Sequence, residues 1–292
     1  MLTLRAGESS LALAPETGGA LLGWTVGRLQ VLRRALPDAI VSGQVRGLAG
    51  FPLVPFANRI ADGRFRWDGR DHQLDRNFGD HPHTIHGVGW QSAWTVRDAS
   101  AAAAVLTLVH DARGQQARRW PFAFAAEQHI ALTAQGLQVT LRVTNRHAGP
   151  APAGLGLHPY FPRSSFGTLR FAAEGVWRNG PDSLPSRHVA VPAAWDHSGG
   201  RPIGRLALDQ CFTGWDGAAH IEGHALGLTL QAGPATRYLQ VYTPAGQDFF
   251  CVEPVSHMPD AINRAAHPMR VLGPGESFAA EITVRVALSS QT

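Results

Sequence analysis

At 292 residues, with 44% hydrophobic and only 16% charged residues, the chain has enough apolar content for a substantial core and too little charge for a disordered polymer. Its formal net charge is +4, yet every basic residue is arginine and the arginines are scattered, without the clustered stripe that nucleic-acid binding requires. The lack of lysine excludes Schiff-base catalysis and any lysine-dependent phosphate loop.

Residues 2–34 read as strand, turn, strand: LTLRAG and SLALAP alternate, Thr17-Gly18-Gly19 interrupts them, and GALLGWTV and RLQVLRR follow. This opening has no long apolar core, so no signal peptide is expected, and no window approaches the ~20 apolar residues of a membrane span. Cys211 and Cys251 lie far apart without CxxC spacing, as expected of two reduced thiols in a cytoplasmic protein. Residues 35–50 read as a turn-rich connection. Residues 51–77 read as a loop that Pro52 and Pro55 keep extended, running into a hairpin that turns at Asp68-Gly69. Residues 81–89 are loop again.

Residues 94–98, 102–110, 122–133 and 136–145 are spaced like consecutive antiparallel strands, and Leu137, Val139, Leu141 and Val143 form a period-2 face. A second Gly/Pro-rich loop is expected at 145–162. Short strands are expected at 169–173, 176–178 and 188–191, then irregular chain over 192–208. Segments 220–231, 238–243, 249–255 and 278–288 complete the β series, and the one expected helix is a short turn near 259–266 that begins at Pro259. The pattern predicts one all-β domain over residues 1–292. So many strands call for a large antiparallel two-sheet sandwich or a barrel, because an open sheet would leave too many edges.

Three stretches mix polar side chains with aromatic ones, as a site for a small polar ligand with an apolar face would: residues 51–94, 154–162 and 249–260. Glu253 follows the apolar run FFCV. A carboxyl there is either a desolvated acid–base group or a structural Glu paired with an Arg. His158, in LGLHPYFP, and His86, in HTIHGVGW, are either proton-transfer groups or core histidines bonded to carbonyls, and Tyr160 and Phe161 are placed to wall a pocket. Arg59, after Asn58, offers a fork of donors for hydroxyls, or else staples a loop; Asp209 could accept from hydroxyls or sit in a turn. The spacing of His81, His83 and His86 invites a metal reading, but no HExxH or thiolate accompanies it, and no metal is expected. Neither a Gly-x-Ser-x-Gly elbow nor a GxGxxG loop is present.

Taken in order, FPLVPFANRI, HTIHG, GLGLHPYF, LDQCF and CVEPVSHMPDA resemble the aldose 1-epimerase (galactose mutarotase) family over essentially the whole chain. The resemblance implies a mutarotase-like β-sandwich acting without cofactor on a free aldose such as galactose or glucose, as a monomer or homodimer, with no nucleic-acid or membrane partner. It implies Glu253 as general base, His158 as general acid, and His86 bonding near the ring oxygen. Arg59 and Asp209, with the neighbouring Asn58, would hold sugar hydroxyls. The chemistry would use an ionised Glu and a protonated His. A hexose-phosphate mutarotase and a catalytically silent sugar binder are the alternatives on this scaffold. The compact HGVGWQSAW and the extra His81 and His83 depart from the family pattern, and no arginine cluster marks a phosphate site.

Overall fold

The computed structural model describes residues 1–204 and 207–288. Two large antiparallel sheets face each other. The nine-stranded sheet runs Thr95–Ala99, Ala103–His110, Phe124–Thr133, Gly136–Asn145, Ser277–Leu288, Leu226–Ala232, Ala218–Glu222, Thr168–Arg170 and Arg201–Pro202. Its strands alternate as the sequence suggests: Leu137, Val139, Leu141 and Val143 all point into the main core, while Gln138 and Arg142 between them face solvent. No helix among the described residues is long and apolar enough to cross a membrane.

The second sheet has eleven strands and positions the site. Its middle runs Ala20–Val26, Gly50–Leu53, Gly156–Pro162, Phe249–Val255, Tyr238–Tyr242 and Asp209–Thr213. One face of these strands joins the main core through residues such as Leu157, Phe161, Phe250, Val252 and Leu239. The other face is covered by a second apolar cluster, in which Phe51, Leu53, Tyr160, Cys251 and Val255 pack against Leu48, Ile85 and Trp90 from overlying loops. Phe161, expected beside Tyr160 in a pocket wall, therefore points the opposite way, into the core between the sheets.

Burial on both faces explains the main departures from the sequence reading. Residues 145–162 are not one loop. They contain the strands Ala151–Ala153 and Gly156–Pro162, and the second is entirely buried, so it lacks the alternation that marks a strand with one wet face. Gly50–Leu53, read partly as connection and partly as loop, pairs with it. Residues 220–231 are a hairpin, Ala218–Glu222 and Leu226–Ala232, rather than one strand. Residues 35–50 hold a short helix, Pro37–Ser42, with Pro at its start and the left-handed Gly43 as its C-cap. A one-turn helix also spans Gln116–Arg119, and the turn expected near 259–266 is a three-residue 3-10 segment, Ala261–Asn263.

Candidate active site

Strand register builds the site as a row across the second sheet. Phe51 is paired with His158, and Gln240 with Glu253. The pairs Gly156–Val255 and Tyr160–Cys251 flank His158 and Glu253 and set those two opposite each other. Phe51, His158, Glu253 and Gln240 thus lie side by side on four adjacent strands, facing away from the main core. Glu253, His158, His86, Arg59, Asp209 and Asn58 all line one cleft of about 710 Å3 over this row.

His158 and Glu253 are in contact, with Nε2 3.4 Å from Oε1, and are only 6% and 2% exposed. His158 is clamped between Phe51, at 4.6 Å between ring centroids, and Tyr160, stacked at 4.7 Å. Burial opposes charge on both partners. It lowers His158 to about 3, with the Arg33 charge adding to the effect, and raises Glu253 well above the usual carboxyl value, with Asp209 adding and Arg59 opposing. On both partners burial thus works against the ionised Glu and protonated His that the resemblance implies. The charged pair and a neutral one hold the same number of protons and differ by one transfer along the 3.4 Å contact.

His86 approaches from the overlying loop, its ring perpendicular to that of His158 at 5.2 Å. Its backbone is left-handed (φ 62), as is that of Asn58 (φ 57), and the two residues brace each other. The His86 N–H donates to the Asn58 carbonyl at 2.9 Å, and the Asn58 N–H donates to His86 Nδ1 at 3.2 Å. Because Nδ1 accepts, the ring proton of neutral His86 sits on Nε2 as a donor. Burial, then the neighbouring His158, keeps this imidazole well below its ordinary pKa.

Gly87 makes the brace achievable. It too is left-handed (φ 76), and a Cβ there would run into the Val54 carbonyl, which accepts from Val88 and Gly89. Gly87→Ala is expected to destabilise the fold by ~1–3 kcal/mol and to lower activity by displacing His86. Thermal melts together with a rate assay check this, and an unchanged melting temperature would refute it.

Arg59 Nη2 bonds Asp209 Oδ2 at 3.0 Å, and Gln240 fixes the other carboxylate oxygen at 2.7 Å. The Asn58 side-chain oxygen is committed to Arg59, accepting from its N–H at 2.9 Å and from Nη1 at 3.3 Å. Asn58 thus orients Arg59 as well as lining the cleft. The SHMPD stretch anchors this loop from beneath. His257 Nε2 accepts from the Ala57 N–H at 3.1 Å, and Asp260 Oδ1 accepts from the Ala61 N–H at 3.0 Å.

His81 and His83 stay outside the cleft lining. His83 accepts from the Asp62 N–H at Nδ1 and donates from Nε2 to the Asp182 carbonyl, and His81 Nδ1 accepts from the His83 N–H, so these rings are engaged in holding the loop. The grouping with metal-ligand spacing among the described residues is instead His158, Cys251 and Glu253, whose donor atoms lie within 4.8 Å of one another. Burial holds the Cys251 thiol well above its usual pKa, so an ion there would have to displace the thiol proton. Gln240, Arg33 and Tyr242 also line the cleft and were not singled out from the sequence. A lone Gln inside the apolar run YLQVY is the same signal that exposed Glu253.

Residues 1–285 match the profile of the family described as Aldose 1-epimerase. The curated Escherichia coli K12 protein YphB, itself described as uncharacterized, is 33% identical over 295 residues, covering 97% of this chain and 98% of that protein. A solved structure from Escherichia coli K12, provisionally described as an aldose 1-epimerase, superposes with a TM-score of 0.89 at 32% identity, covering 98% of each chain. A galactose mutarotase-like protein from Clostridium acetobutylicum has a TM-score of 0.86 at 18% identity, covering 98% of this chain and 95% of its own, a likeness of fold alone.

Proposed function

The chain belongs to the aldose 1-epimerase family, and from that premise we propose that it interconverts the α and β anomers of an aldose by acid–base ring opening and closure. The observation that carries this reading is the buried contact between His158 and Glu253 on the floor of an open cleft.

Anomerisation needs one proton removed from the C1 hydroxyl and one delivered to the ring oxygen. Glu253, as carboxylate, takes the first and His158, as imidazolium, gives the second; the C1–ring oxygen bond breaks and C1 becomes an aldehyde carbon. Rotation about C1–C2 presents its other face. The ring alcohol then attacks, His158 recovers its proton, and Glu253 returns one to the new C1 hydroxyl. The charged form of the pair differs from a neutral one by one proton transfer, and sugar hydroxyls bonding to Glu253 favour the charged form in the complex. His86 Nε2–H donates near the ring oxygen. The Arg59–Asp209 pair receives ring hydroxyls, with Asn58 holding Arg59 in place. The proton count closes without a cofactor or a covalent intermediate.

Polarimetry of freshly dissolved α-anomers tests the proposal. Added protein is expected to accelerate mutarotation, and the acceleration is expected to survive a chelator. No acceleration for any aldose would leave a silent sugar binder as the reading, while loss on chelation restored by zinc would bring the His158–Cys251–Glu253 group forward as a metal site.

A further inference from the structure

Along the strand Phe249–Val255, Phe250 and Val252 enter the main core, while Cys251 and Val255 pack in the cluster on the opposite face. The Cys251 thiol therefore lies on the same side of the sheet as the Glu253 carboxyl, two positions on. His158 joins them from the neighbouring strand, where Tyr160 is paired with Cys251. One donor atom from each of the three lies within 4.8 Å of the others, and the His158–Glu253 contact is 3.4 Å.

Tetrahedral zinc, with bonds of about 2.0–2.3 Å, sets neighbouring donors roughly 3.3–3.5 Å apart. The His158–Glu253 contact has that spacing already, and small rotations of the short Cys251 side chain would close the rest. Both strands are central to the sheet and buried almost throughout, so the backbone holds the donors in place. His158 Nδ1 is buried and meets no hydrogen-bond partner among the described residues, which leaves this nitrogen uncommitted.

The donor set also balances charge. All three groups are buried, where an isolated ion is costly. Thiolate, carboxylate and neutral imidazole together cancel the charge of a divalent cation, so the filled site carries none in excess. Sulfur and imidazole donors suit zinc rather than magnesium or calcium. His158 and Glu253 line the open cleft, which gives the ion a way in and leaves its fourth position to water or a sugar hydroxyl. An ion so held occupies the atoms that would move protons, and ligation and proton transfer exclude each other.

We propose that His158, Cys251 and Glu253 form a binding site for zinc or a cation of like softness, and that filling it switches the cleft off. The switching rests on the mutarotase reading; the binding does not. The sense is opposite to that of a catalytic metal, whose removal would abolish activity.

Cobalt(II) is a suitable probe, because its thiolate complexes absorb in the near ultraviolet and the aqueous ion does not. Titration of the full chain with Co2+ is expected to raise that band and Zn2+ to bleach it. Cys251→Ser is expected to abolish the band, and so is Cys251→Ala, which puts no hydroxyl into the apolar cluster. Cys211→Ser, at the other buried thiol, is expected to keep it. In polarimetry with metal-buffered solutions, Zn2+ is expected to suppress mutarotation and a chelator to restore it. The half-inhibiting zinc concentration is expected to rise in the Cys251 variants by at least the ~10–100-fold that loss of an outer-shell partner costs. Absence of the band in the parent overturns the proposal. Zinc inhibition that both Cys251 variants retain in full marks an adventitious ion only and overturns it too, and mutarotation indifferent to zinc overturns the switch. A Cys251-dependent band in a protein that accelerates no mutarotation upholds the metal site and removes the reading it was to silence.

Discussion

Glu253→Gln is expected to lower the mutarotation rate by ~10²–10⁴-fold and, at the same time, to raise the melting temperature. The first effect follows from removing a proton-transfer group while keeping its shape, so that hydroxyl contacts and sugar binding largely persist. The second follows from burial. Glu253 is 2% exposed and its carboxyl is held well above the usual carboxyl value, chiefly by desolvation. A carboxyl whose folded pKa exceeds its unfolded one binds more protons folded than unfolded. Its stabilising contribution is complete below about 4.5 and is lost as pH rises toward the folded value. Glutamine has no such loss, so the variant should gain on the parent as pH increases.

Melts at about pH 5 and about pH 8, beside polarimetry at both, separate the roles. A Glu kept for structure, paired with an arginine, would show the opposite sign: a lower melting temperature on replacement. Retained activity in the variant would remove Glu253 from the chemistry altogether. A group that destabilises the fold at neutral pH yet occupies the centre of a cleft is the kind of cost that sites bear for function.

The same physics governs what could be read from the sequence. The nine-stranded sheet was legible because its outer face is wet, so Leu137 to Val143 alternate with polar neighbours. The central strands of the other sheet were not, because loops cover their outer face and erase the alternation; Gly156–Pro162 looks like a loop for that reason. In such strands a polar residue is conspicuous, which is why His158 and Glu253 stood out and why Gln240 should have. Arg33 gave no signal, since its place in the cleft lining depends on how the chain folds over the sheet. His81 and His83 gave a misleading one: histidines at ligand-like spacing turn out to bond backbone groups.

His158→Gln is expected to cost ~10²–10⁴-fold in kcat/KM, and the parent's pH profile carries the finer test. The free-enzyme profile reports the pair rather than either residue. Between the two titrations the pair holds one proton, the count that one acid and one base require. A second proton arrives only as pH falls to about 3, the lowered value of His158, and leaves the pair without a base. The single proton departs only above the raised value of Glu253 and leaves it without an acid. With His158 lowered to about 3, the parent's kcat/KM should show no acid limb near pH 6.5, where an exposed imidazole would titrate. Stability behaves differently on the acid side. Folded His158 binds fewer protons than unfolded His158 between about 3 and 6.5, so the fold weakens as pH drops through that window while activity per folded molecule holds. His158→Gln should remove that part of the acid-side weakening. An acid limb centred near pH 6.5 in the parent would mean that His158 titrates as a solvent-exposed histidine does, and its lowering by burial would have to be abandoned.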